Sequence, residues 1–135
     1  MTLNTARNTL SGIWIAITLL LAFLLFLKTP QFGQDAAAVW KEAPAFIAPI
    51  VALVVSFLFG GQHLDPTLRV PNPVSFYVAV AISLTYAAAL FIALFVWQHP
   101  MLENVRMASL PLNYFSALTI AALNFFFVGA SQPKK

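Results

Sequence analysis

The chain has 135 residues, 61% of them hydrophobic and 8% charged, with seven Lys and Arg against four Asp and Glu and a formal net charge of +3. An ordinary soluble domain carries about 25% charged residues, so a mean hydropathy of +0.86 excludes a wettable globule. Seven cations scattered over loops and ends make no basic patch, which argues against nucleic acid as a partner. The absence of cysteine excludes disulfides, Cys-ligated metals and palmitoylation.

No Asp, Glu, Lys or Arg occurs from Asn8 to Leu27, from Ala43 to Leu64, from Val70 to Leu102 or from Met107 to Pro133. Each run holds about 20 residues, the length that crosses roughly 30 Å of hydrocarbon. The pattern predicts an all-α integral membrane protein, a single domain over 1–135. Four transmembrane helices at about 10–27, 43–60, 74–97 and 110–130 are expected to form an antiparallel bundle with short interfacial loops.

The first run, about Leu10 to Leu27, follows Arg7 as a signal peptide would. It is long for a signal-peptide core, and Lys28-Thr29-Pro30 makes a poor cleavage site, so it is read as a retained span. Its second half is apolar all round and is expected to meet lipid. Gly12 and Ala16, four apart, offer a weak docking pair for its first turns. Thr29-Pro30 stops the helix. Asp35 then looks like an N-cap for a short interfacial helix carrying Trp40 and Lys41.

The second span opens on Pro44 and contains Pro49, the only proline expected inside a span; the missing N–H predicts a kink near the first turn. Ala48, Ala52, Ser56 and Gly60 recur every fourth residue, a stripe of small side chains that lets another helix backbone come close. Asn72-Pro73 caps the third span, in which Ala79, Ser83 and Ala87 repeat the interval, with Tyr86 on the same side. If these two spans form a tight hairpin, Ser56 lies level with Ala79, Ala52 with Ser83 and Ala48 with Ala87.

The third loop, Gln98 to Ser109, holds His99, Glu103, Asn104 and Arg106, read as interfacial turns before a fourth span with Pro111 in its first turn. Asn113 and Asn124 are eleven residues apart and share a face of that span, with Ser116 beside them. They suit either interhelical hydrogen bonds or the lining of a pore.

Catalytic sets are poor. His63 with Asp65 and His99 with Glu103 fall on opposite membrane faces in this topology. No Gly-x-Ser-x-Gly, His-Glu-x-x-His or phosphate-binding glycine loop occurs. No catalytic residue, metal or cofactor is therefore assigned. The loop polar residues His63, Asp65 and Arg69 are kept only as a ring that an oligomer would bring together. Proton-coupled transport usually relies on a buried acid, and no expected span holds one.

The function expected is non-enzymatic: a small membrane protein that self-associates, or the membrane-embedded subunit of a larger complex. Its partners would be the bilayer and a second copy or another protein subunit. A channel or small transporter lined by the fourth span is the alternative, and a membrane-interface enzyme subunit the second. The distribution of Lys and Arg places both termini in the cytoplasm, in the plasma (inner) membrane.

Overall fold

The computed structural model describes residues 1–59 and 67–127. Among these every regular element is a helix: α1 (Leu3–Lys28), α2 (Ala36–Glu42), α3 (Ala48–Phe59), α4 (Pro73–Phe91) and α5 (Met101–Phe127). Three of them are long and apolar enough to cross a membrane, or four spans result if α3 is joined to the bent segment before it. The expected Gly60, His63 and Asp65 lie outside the described residues.

α1 begins at Leu3, not Leu10, with the Thr2 side-chain oxygen accepting from the Thr5 backbone N–H at 3.2 Å. The preceding strand of chain is held as well: the Leu3 N–H donates to the Leu68 carbonyl at 2.8 Å and the Val70 N–H to the Met1 carbonyl at 3.2 Å. One face of α1 is buried, through Leu3, Ala6, Arg7, Leu10, Ser11, Trp14, Leu21 and Leu25. Leu19, Leu20, Phe23, Phe26 and Leu27 are exposed, so the bare apolar surface of the second half spares only the Leu21–Leu25 row. Gly12 and Ala16 are exposed, and a Cβ added to Gly12 would meet nothing within 4 Å, so the docking pair is not used within the chain.

Beyond Lys28 two short 3-10 turns, Thr29–Gln31 and Gly33–Asp35, lead into α2, with Gly33 taking the left-handed φ of 57°. Asp35 precedes α2 as expected, but its backbone is already helical and its carboxylate makes no capping bond. The anchor here is Trp40 instead. Its indole N–H donates to the Thr29 hydroxyl at 2.9 Å, which in turn donates to the Leu25 carbonyl at 2.8 Å. α2 is thereby tied to the end of α1.

The kink expected at Pro49 is a full break. The segment Gly33–Phe46 and the helix from Ala48 to Leu58 are bent by 59°. Pro49 stands in the first turn of α3, where a missing N–H leaves no helical bond unmade. Twelve residues make about 18 Å of helix, so α3 alone falls short of a full crossing.

α4 starts as expected, with Asn72 Oδ1 accepting from the Val74 N–H at 3.0 Å and Pro73 in the first position. It continues into one π-helical stretch, Ile92–Val96, and stops at Trp97 in extended conformation. α5 opens at Met101, well before the expected residue 110, so Pro111 lies in its interior. The cause is Asn104, which is 1% exposed. Its Nδ2 donates to the Trp97 carbonyl at 3.2 Å and the His99 carbonyl at 3.1 Å, so the polar loop folds onto the first turn of α5. The half-exposed Arg106–Glu42 ion pair, 3.4 Å, joins α5 to the end of α2.

α4 packs most closely on α5, and both touch α1, while α3 packs on α1 and α5. α3 and α4 barely meet, so the expected hairpin between the second and third spans is not formed. The buried side of α3 carries Ile50 and Val54, the large residues that fill space between α1 and α5. Ala48, Ala52 and Ser56 are on the opposite, exposed face. In an aqueous or apolar reference alike, burying branched side chains gains contacts that a stripe of methyls does not.

Candidate functional site

Arg7, Ser11 and Trp14 follow one another at intervals of four and three, so they lie on one face of α1. That face is the buried one, and it carries a polar seam through an otherwise apolar core. At the middle of the seam the Trp14 indole N–H donates to Ser83 Oγ of α4 at 3.1 Å, and the Trp14 and Tyr86 rings lie 5.9 Å apart. The Tyr86 hydroxyl, fully buried, donates to the Phe46 carbonyl at 2.6 Å. The break before α3 explains that bond. Among the described residues no backbone donor reaches the Phe46 carbonyl, so a hydroxyl from another helix satisfies it. Ser116 of α5 faces the same tyrosine, and Thr119 donates to its own helix at the Phe115 carbonyl, 2.8 Å away.

Arg7 closes the seam at the end where α1 starts and α5 finishes. Its Nε donates to the Phe126 carbonyl, among the last carbonyls of α5. Its Cζ lies 5.1 Å over the ring of Phe57 on α3. A helix C-terminus and an aromatic face are two places where apolar structure offers a cation some compensation. The compensation is incomplete: Nη1, Nη2 and the Ser11 Oγ one turn on are buried with no hydrogen-bond partner among the described residues. A fully buried arginine with no carboxylate among the described residues is costly, and an ionisable group within a membrane helix marks a place of function or assembly.

The structure divides the residues singled out from sequence. Ala79, Ser83, Tyr86 and Ala87 are buried on α4, and Ser116 is buried on α5. α4 as a whole packs on α5 and α1 and scarcely meets α3, although Tyr86 reaches Phe46 just before it. Ala48, Ala52 and Ser56 are exposed, as are Asn113 and Asn124. The two amides do share a flank of α5, but Ser116 is turned inward, away from it. Neither amide has a hydrogen-bond partner among the described residues, so they are not glue within this chain. Arg69 is exposed, and its backbone pairs with Thr2 in an isolated antiparallel bridge.

Arg7, Trp14 and Asn104 are the functional-looking residues that sequence reasoning passed over. With the first span expected from Leu10, Arg7 reads as a flanking charge outside it. Its place four residues after Leu3 and four before Ser11, in the Leu3–Leu10–Trp14 row, is the signal that would have turned it inward. Comparison with protein families, with characterised proteins and with solved structures finds no match to this chain. The class it belongs to is therefore set by its own architecture: an all-helical, membrane-integral bundle with three to four candidate spans.

Proposed function

We propose that this is a non-enzymatic membrane protein that works by assembly, pairing through the outer face of α3 with a second copy of itself or with another subunit's helix. The observation that carries this reading is the exposure of Ala48, Ala52 and Ser56; the exposed amides of Asn113 and Asn124, without a hydrogen-bond partner among the described residues, add to it. A small-residue stripe permits close backbone approach, and an amide such as that of Asn124 would cost several kcal/mol, roughly, if it faced hydrocarbon without a partner. A neighbouring helix laid on α3 would fill the groove that its small residues leave. In this reading both termini face the cytoplasm across the plasma (inner) membrane. That end carries Arg7, Arg69, Lys134, Lys135 and the terminal amine, against Lys28, Lys41 and Arg106.

The lack of native cysteine makes the test direct. A single Ala52→Cys variant oxidised in native membranes is expected to give a crosslinked dimer, and Phe23→Cys, on the exposed side of α1, is expected to give none. Equal crosslinking at both positions, or none at Ala52 with no stoichiometric partner co-purifying, counts against the proposal. A second reading is favoured by one observation, the shared outward flank of Asn113 and Asn124. In a ring of copies these amides would line a path. Ion flux in liposomes that is lost in Asn124→Leu while the assembly persists would select that reading over a purely structural one.

A further inference from the structure

With the helix interrupted between Phe46 and Ala48, neither the Ala45 nor the Phe46 carbonyl receives a backbone N–H among the described residues. Tyr86 serves Phe46, and Ala45 is left with no donor. Ala45 is exposed and lines a cavity of about 410 Å3 together with Lys41, Glu42, Arg106, Ser109 and Asn113. That volume is within the usual range of small-ligand sites. The polar groups are within a ligand's reach, since Lys41 and Asn113 are exposed and the Arg106 side chain is 62% exposed. Lys41 has no carboxylate partner among the described residues. Glu42 meets Arg106 through long bonds of 3.4 and 3.5 Å to Nη2 and Nε, which leave Nη1 unused. Two cations against one carboxylate give the wall a net charge of +1. Asp35 and Glu103 line a different cavity, which shares only Arg106 with this one.

The place in the fold narrows the choice. Lys41 stands in the last turn of α2 beside Trp40, which is tied to Thr29 at the end of α1. Tryptophan and lysine at helix ends sit at headgroup level. From Arg106, α5 runs away from that level with Leu110, Tyr114 and Leu118 exposed at steps of four beside Asn113. We propose that the cavity binds an anionic membrane lipid, phosphatidylglycerol. Its phosphate lies between Lys41 and Arg106, an ester carbonyl accepts from the Asn113 amide, and a glycerol hydroxyl donates to the Ala45 carbonyl. The acyl chains follow the Leu110–Tyr114–Leu118 row. A zwitterionic lipid brings the same phosphate but sets an ammonium beside two cations and leaves the charge of the wall unneutralised. The site does not depend on the α3 face. Asn113 is the one residue it shares with the assembly reading, so its test turns on Lys41.

The test is native mass spectrometry of the full chain released from detergent micelles containing equal amounts of dioleoyl phosphatidylglycerol, phosphatidylethanolamine and phosphatidylcholine. Phosphatidylglycerol is expected to be retained at least about fivefold better than either zwitterionic lipid, the order of preference that one net basic charge confers. Lys41→Gln should erase the preference with helix content unchanged. Lys28→Gln removes the same charge from a different cavity and should leave the preference intact. Equal retention of the three lipids by the unaltered chain overturns the proposal even if no variant can be purified. An unchanged preference in Lys41→Gln overturns it too. So does an equal loss in both variants, which reduces the preference to general charge attraction. Full displacement of the lipid by equimolar glycerophosphoglycerol, the headgroup without its chains, overturns the lipid as the source and points to a soluble phosphodiester.

Discussion

Two stripes of small residues with the same four-residue grammar have opposite fates in this bundle. Ala79, Ser83 and Ala87 on α4 are buried, whereas Ala48, Ala52 and Ser56 on α3 are exposed. The difference lies in what stands on the other faces of each helix and in who is near. On α4 the stripe shares its side with Phe76, Tyr86 and Leu90, and Trp14 of α1 reaches across to Ser83. On α3 the large residues Ile50 and Val54 take the inner side and turn the small ones out. Small residues permit close approach. They do not choose the partner.

The sharpest way to break this contrast is to remove the residue that draws the α4 stripe inward. Trp14→Ala should lower stability in detergent by about 3–5 kcal/mol, the usual cost of deleting a large buried aromatic, read by reversible unfolding followed by circular dichroism. A loss under about 1 kcal/mol would mean that α1 does not hold α4. Next in size, Ala79→Leu forces extra volume into the buried side of α4 and should cost about 1–3 kcal/mol. Tyr86→Phe removes only the hydroxyl that satisfies Phe46, and a loss of about 1 kcal/mol is expected, near the upper part of the range for membrane hydrogen bonds. The smallest effect is the most telling one. Ala52→Leu should change the stability of the isolated chain by less than about 0.5 kcal/mol, as exposed substitutions do, while weakening the assembly proposed for the α3 face. If Ala52→Leu destabilises the chain as much as Ala79→Leu, the two stripes are equivalent and the contrast fails.

The buried Arg7 sharpens the same point with a different sign. Replacing a buried, incompletely paired charge by an apolar side chain of similar length is often neutral or stabilising. Arg7→Met is therefore expected to leave the melting temperature unchanged or raise it. A marked fall would show that the Nε bond to Phe126 and the Phe57 ring together outweigh the unsatisfied Nη groups.

Much of the architecture was legible in the charge-free runs because the bilayer demands long apolar helices and leaves few alternatives. The Asn72-Pro73 start of α4, the stop after Lys28 and the inward side of Tyr86 all follow from local chemistry that acts within one or two turns. The starts of α1 and α5 were missed for one shared reason. Arg7 and the Glu103–Arg106 segment were treated as boundaries because they are polar, yet a polar residue can stay inside a helix when a distant group satisfies it. For Arg7 that group is a carbonyl from α5, far along the chain, and for Asn104 it is the pair of carbonyls just behind it. A kink was expected near Pro49, but the break of 59° falls just before it, between Phe46 and Ala48, and the Phe46 carbonyl there depends on Tyr86 to receive it.

Composition and hydropathy by themselves determined that the chain is helical and built for a membrane, since with 8% charged residues it lacks the polar surface that water requires. They also determined which residues are small enough for helices to touch. Only the tertiary structure decided which helices do touch, because that depends on side chains far apart in sequence competing for the same space. It was this competition that put Arg7 and Trp14 in the core and turned Ala52 to the outside.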